Sequence, residues 1–309
     1  MPSENVVVVI PAKNEEEAIA QTVAKLRNSL STYNLRIVVV DGNSVDKTVE
    51  RAKDAGAIVV RQDGRGYGDA LFKGFLFGAE ELSADIFLTM DADGTYEPDD
   101  APNLLNPILA READFTIGRR IPEVGALIGI RKYGNYMISW LTRTLLGLDV
   151  QDTQSGMMGF RSQLIQEQDL SVKGWGINTE MLKRAKDIGM IVKEIPVRYH
   201  KRIGDSKLNP LHAAIVDVAV ALRMLRDTEP FLFFAGSGAG LICIGFAIGL
   251  EVIIDWIRTG LVTNVARVVF STLIITVGVQ LVSLGLVAEM IRKLIQPRSA
   301  RGLRKHRVL

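Results

Sequence analysis

The rhythm of hydrophobic and polar positions changes along the chain, and each rhythm predicts an element. Over residues 5–120, short β-branched runs alternate with stretches whose apolar residues recur every three or four positions. "NVVVVIPA" reads as a buried strand. "NEEEAIAQTVAKLRNSL" reads as a helix with Ile19, Val23, Leu26 and Leu30 on one face, and Asn14 and Glu17 have capping-box spacing at its start. Then come a strand in "RIVVVDG", a helix in "VDKTVERAKDAG" closed by Gly56, a strand in "AIVVRQ", a helix in "GDALFKGFLFGAEEL" and a fourth strand in "DIFLTMD". This alternation is the pattern of a parallel, doubly wound sheet. From 115 to 200 strands are predicted in "DFTIGRR", "SGMMGFR" and "IVKEIPVRYH", and helices in "RKYGNYMISWLTRTLLG" and "INTEMLKRAKDIG".

The C-terminal pattern is different. "FLFFAGSGAGLICIGFAIGL" and "VVFSTLIITVGVQLVSLGLVA" contain no charge, and each is long enough to cross a hydrocarbon core of about 30 Å. They predict membrane spans at about 231–252 and 267–288, joined as a hairpin. After the second span, "RKLIQPRSARGLRKHRVL" is dense in Lys and Arg, against only Arg258 and Arg267 in the connecting loop. The positive-inside rule therefore places the tail and the N-terminal domain in the cytoplasm. "MPSENVVVVIPAKNEE" lacks the basic n-region and long apolar run of a signal peptide, which agrees with that expectation. Residues 210–227 form an apolar-faced helix, with Leu211, Ile215, Val218, Leu222 and Leu225, expected either in the membrane interface or packed on the catalytic domain.

Composition narrows the classes. A net charge of +2 on 309 residues supplies no broad basic face, so nucleic acid is not an expected partner. Cys243 is the sole cysteine, and His200, His212 and His306 are scattered, which excludes a disulfide framework and a Cys/His metal site.

The candidate chemistry lies in "TMDADGTYEPDD". Asp91 and Asp93 fall at a strand's C-terminal end, where open α/β sheets bind ligands. Two carboxylates one residue apart repel unless a proton or cation sits between them, so a hard divalent metal is the natural partner, with solvated turn aspartates the alternative. "GRGYGDA", with Gly64, Gly66 and Gly68, does not follow the first strand and has the wrong spacing for a dinucleotide fingerprint. It reads as a loop passing close to a ligand or another backbone.

Taken together, "PAKNEE", "VVVDGNSVDKT", "MDADGTYEPDD" and "DTQSGMMGFR" resemble glycosyltransferase family 2, more narrowly its polyprenyl- or dolichyl-phosphate sugar synthases. The resemblance covers about residues 5–227. It implies a GT-A fold (Rossmann-like, mostly parallel sheet) and inverting transfer of a hexose from a nucleotide sugar to a lipid phosphate, with Mg²⁺ or Mn²⁺. It also implies roles for particular residues. Pro11, Ala12, Glu15 and Asp41 would line the nucleoside pocket, and Asp91 and Asp93 would hold the metal. Mannose synthases of the family often carry a Gln where Thr95 stands, and a hydroxyl is the poorer ligand, so water would complete the shell. Arg119, Arg120, Arg131 and Asn135 occupy acceptor-phosphate positions, and Arg202 and Lys207, in a loop able to close as a lid, would reach donor phosphates. Asp152 or Glu180 would orient the acceptor or a sugar hydroxyl, and Trp175 would stack on a sugar or simply pack.

The chain is thus read as a GT-A domain over residues 1–227, a transmembrane hairpin over 228–291 and a basic tail over 292–309. Its expected partners are a nucleotide sugar, a polyprenyl or dolichyl phosphate and the bilayer, and an oligomer is compatible with it. A processive polysaccharide synthase is the first alternative, but Trp140, Trp175 and Trp256 are none of them preceded by the Arg of a Gln-x-x-Arg-Trp motif. A catalytically silent nucleotide-binding membrane protein is the second, and the joint presence of Asp41, Asp91, Asp93 and Arg131 argues against it.

Overall fold

The computed structural model of the chain describes residues 4–122, 150–166, 177–204, 229–262 and 264–295, and also positions 139, 143, 144, 147, 222, 223, 225 and 226. It divides into two compact units, Met1–Ala219 and Val220–Leu309.

In the first unit the apolar runs become strands β1 (Asn5–Ala12), β2 (Asn34–Asp41), β3 (Ile58–Arg61), β4 (Ile86–Thr89), β5 (Phe115–Pro122), β6 (Met158–Arg161) and β7 (Val192–Tyr199). They form a seven-stranded sheet in the order β3-β2-β1-β4-β6-β5-β7. β6 runs antiparallel to both its neighbours, β4 and β5; the other pairings are parallel. Helices α1 (Ile19–Ser29), α2 (Thr48–Asp54), α3 (Tyr67–Glu80) and α4 (Ala101–Leu109) follow the first four strands, and α5 (Gln163–Gln166) and α6 (Ile177–Asp187) flank the last two.

Burial explains why the central strands β1 and β4 are apolar nearly throughout. Val6, Val8 and Ile10 pack with Ile19, Val23, Leu26 and Leu30 of α1 and with Leu104, Leu105 and Ile108 of α4. On the other face of the sheet Phe75 of α3 meets Phe87 and Phe160 edge-on, at ring-centre distances of 5.4 and 5.2 Å. A sheet covered on both faces buries both sets of alternating side chains, so its strands lose the polar half of the period.

One local expectation fails. The capping box of Asn14 and Glu17 does not form: α1 begins at Ile19, and its cap residue Ala18 makes no side-chain hydrogen bond. Asn14 instead adopts a φ of 51°, and its Oδ1 accepts from the Val45 amide at 2.8 Å. The Glu15 amide donates to Thr48 Oγ1 at 2.8 Å. The loop after β2 takes up the Asn14, Glu15 and Glu16 amides and the Asn14 side chain, so Asn14 is drawn away from the local cap.

The second unit holds α7 (Pro230–Thr259) and α8 (Val265–Ile295). With 30 and 31 residues at 1.5 Å each, both are long enough to cross a membrane. They pack antiparallel along a seam of small residues: Gly238 faces Gly278, and Gly245 faces Ser271. A Cβ built on Gly238 would lie 2.5 Å from the Gly278 carbonyl, so the backbones approach as only glycine allows. Large side chains such as Phe246, Leu250, Ile257 and Met290 point outward and are exposed. At one end Glu229, Arg292 and Glu289 form an ion-pair cluster. The helices expected over 131–147 and 210–227 fall almost entirely outside the described residues, and the basic stretch after 295 wholly outside them.

Candidate active site

β1 is followed by β2 and β3 on one side of it, and β4 lies on the other. The loops leaving β1 and β4 therefore diverge, and the crevice between them is the topological switch point of the sheet. Pro11 and Ala12 end β1, and Ala12 pairs in register with Asp41, the last residue of β2. Asp41 is buried, and its Oδ1 accepts from the Ser44 amide at 3.1 Å. These residues and Glu15 thus stand together at one wall of the crevice.

The acidic turn forms the other wall. β4 stops at Thr89, two residues before the expected end, and Asp91 to Asp93 turn through Gly94, whose φ is 74°. Asp93 Oδ1 accepts from the Thr95 amide at 3.1 Å and from its hydroxyl at 2.7 Å. Thr95 accordingly acts as a donor to Asp93. Asp93 Oδ2 accepts from Arg202 Nη1 at 2.9 Å, while Arg202 Nη2 donates to Glu15. The main chain around Arg202 is stitched to the same turn, with the His200 amide on Thr95 O at 2.7 Å and the Ile203 amide on Asp93 O at 3.0 Å.

Asp91 is held by groups that the sequence did not single out. Tyr67, at the first turn of α3, donates its hydroxyl to Asp91 Oδ1 at 3.2 Å. Gly156 packs so closely that a Cβ there would lie 2.7 Å from Asp91 Oδ2. The Gly156 amide donates to Tyr96 Oη at 2.7 Å. Burial, and then the charge of Asp93, push the Asp91 carboxyl up to about 7. Burial also pushes the Tyr67 and Tyr96 phenols well up, so both stay neutral hydrogen-bonding groups.

The donor set suits a divalent cation. Two partly buried carboxylates offer hard oxygen, and their mutual repulsion is relieved by a positive charge. Among the described residues no group of three or more His, Cys, Asp or Glu side chains converges. Cations such as Mg²⁺ take one or two protein carboxylates and fill the remaining positions with substrate phosphates and water.

Arg120 and Asp152 form the floor beside this turn. Arg120 Nε and Nη2 donate to the two Asp152 oxygens at 2.6 and 2.8 Å, and the guanidinium lies 5.4 Å from the centre of the Tyr199 ring. Tyr199 in turn meets Tyr96 edge-on at 5.2 Å. Arg119 does not join this cluster. Adjacent strand residues point to opposite faces, and Arg119 donates instead to Gln151 Oε1 at 3.2 Å. Glu180 lies half-buried on α6. Arg131, Asn135, Trp175 and Lys207 lie outside the described residues.

The mixed sheet of seven strands, with an acidic turn beside its switch point, is GT-A-like. The chain belongs to glycosyl transferase family 2, whose model matches residues 7–183. It is 30% identical over 299 residues to glycosyltransferase AglJ of Haloferax volcanii, covering 95% of this chain and 96% of that protein. It is also 30% identical over 210 residues to the dolichyl-phosphate hexose transferase of the same organism, covering 67% of this chain and 88% of that one. Among solved structures, glucosyl-3-phosphoglycerate synthase of Mycobacterium tuberculosis with Mn²⁺, uridine diphosphate and glucosyl-3-phosphoglycerate shares the fold. Its TM-score is 0.58 at 21% identity, over 73% of this chain and 80% of that one. The chain is a hexosyltransferase of this family, similar to polyprenyl-phosphate sugar synthases.

Proposed function

We propose that the chain transfers a hexose, with inversion, from a nucleotide sugar to a polyprenyl or dolichyl phosphate at the cytoplasmic face of a membrane. The observation that carries this reading is the position of Asp91 and Asp93 at the switch point, where Arg202 joins Asp93 to Glu15, in a chain that also carries two apolar helices. Support for the lipid acceptor comes from the dolichyl-phosphate hexose transferase relative.

In this reading Pro11, Ala12, Glu15 and Asp41 bind the nucleoside. Asp91 and Asp93 hold Mg²⁺ or Mn²⁺, which when bound neutralises charge on the leaving diphosphate as a Lewis acid. Arg202 and Lys207 bind donor phosphates. Arg120, Arg131 and Asn135 receive the lipid phosphate, with Arg119 farther out. A lipid phosphate oxygen forms a bond to the anomeric carbon as the bond from that carbon to the diphosphate breaks, and the nucleoside diphosphate leaves. The two apolar helices anchor the domain with both ends of the hairpin on the cytoplasmic side.

Detergent-solubilised full-length protein tests the reading directly. UDP-glucose, UDP-N-acetylglucosamine and GDP-mannose are each supplied with a polyprenyl phosphate and Mn²⁺, and lipid-linked sugar is measured. One donor should give an organic-extractable product. Failure of all three, or sugar release that ignores the lipid phosphate, overturns the proposal.

A further inference from the structure

We propose that Tyr67 is a positioning residue for the metal-binding carboxylate. The inference rests on the reading of Asp91 as a metal ligand and goes beyond it. Tyr67 is contributed by the glycine-rich entry to α3, a segment with no part in the acidic turn. Its cap residue, Gly66, has a φ of 93°, which directs the helix start and its tyrosine into the crevice. The hydroxyl reaches Asp91 Oδ1 at 3.2 Å. The phenol carries one proton to donate, and Asp91 is where it goes.

The carboxylate is thus fixed by two contacts with different jobs. Gly156 leaves it room, and Tyr67 orients it by holding Oδ1. Groups that orient a ligand from outside the coordination shell typically change metal affinity roughly 10–100-fold when removed.

The test is Mn²⁺ binding to the full-length protein, followed by the electron paramagnetic resonance signal of the free ion, with Mn²⁺ alone as probe. Tyr67→Phe keeps the ring and should weaken Mn²⁺ binding about tenfold or more, with its thermal midpoint close to that of the unsubstituted protein. Turnover lost at low Mn²⁺ should return as Mn²⁺ is raised. Tyr67→Met, which also removes the hydroxyl, should weaken binding in the same direction, and it carries the test if Tyr67→Phe does not fold. A folded Tyr67→Phe that binds Mn²⁺ as the parent does, or loses stability with no change in affinity, overturns the proposal. Absence of Mn²⁺ binding in the parent protein overturns instead the metal reading beneath it.

Discussion

Arg202 donates to Asp93 Oδ2 at 2.9 Å, so a guanidinium already occupies one face of the carboxylate expected to hold the metal. Its other terminal nitrogen is on Glu15, and its Nε is buried with no hydrogen-bond partner among the described residues. A cation bridging two loops in this way competes with a metal for Asp93 and keeps a donor in reserve for an anion. Arg202→Ala should therefore bind Mn²⁺ more tightly than the parent when no nucleotide is present, yet show a raised KM for the sugar donor. Calorimetric titration with Mn²⁺ and initial-rate kinetics measure the two effects. A variant that loses metal affinity and donor affinity together would show Arg202 to be a simple support of the site.

Asp91 and Asp93 should be separately indispensable. Asp91→Asn or Asp93→Asn removes an anionic ligand where leaving-group charge develops, and each should lower turnover at least about a hundredfold. A chelator should abolish activity, and Mg²⁺ or Mn²⁺ should restore it. Full activity in the chelator would refute the assignment.

The raised Asp91 carboxyl also sets a pH dependence for the metal-free protein. Burial and Asp93 lift it from 3.8 to about 7, so between those values the folded state binds more protons than the unfolded one. Stability then falls as pH rises through that window and levels off above it. Metal affinity runs the other way, rising with pH until the proton no longer competes. Thermal unfolding in a chelator at pH 5 and pH 8 should show the lower midpoint at pH 8, and Asp91→Asn should reduce the difference. An unchanged difference in Asp91→Asn would assign the dependence to other groups.

Gly156 offers a steric test. A methyl at this position meets the Asp91 oxygens at 2.7 and 2.8 Å, so Gly156→Ala must displace the carboxylate. Turnover and Mn²⁺ affinity should each fall about tenfold or more, while the far-ultraviolet circular dichroism spectrum stays that of the parent. Parent-like kinetics would mean that Asp91 has another productive position.

Asp152 bears on how the nucleophile is activated. Both its oxygens are taken by Arg120, an arrangement that serves charge balance better than proton transfer. A phosphate monoester needs no base, because its second pKa of about 6 leaves it ionised near neutral pH. The turnover rate should rise through an inflection near that value, and the inflection should survive in Asp152→Asn and Glu180→Gln even where the rates drop. Its disappearance in either variant, with metal and donor still bound, would identify a general base.

Much of this organisation is legible in one dimension. The run "VVVVI" and its successors specify strands because burial on both faces demands unbroken apolar sequence, and β1 occupies the span that the pattern predicts. The acidic pair could be located for the same reason, since "DIFLT" must end before "DADG" can turn. Arg119 and Arg120, grouped together as acceptor-phosphate positions, point apart because strand neighbours cannot share a face. The capping box was misread because spacing alone does not say whether a neighbouring loop will satisfy the same amides.

The sequence by itself determined the strand–helix alternation, the place of the carboxylates at a strand end and the two apolar helices. All of these follow from local periodicity and from the length of uncharged runs. Only the tertiary structure decided which groups meet around those carboxylates. Tyr67 lies 24 residues from Asp91, Gly156 lies 65 residues beyond it, and Arg202 lies 109 residues beyond Asp93. No period links such positions. They come together because β4 lies between β1 and β6 in the sheet, which gathers the ends of distant strands and the helices they feed at one edge.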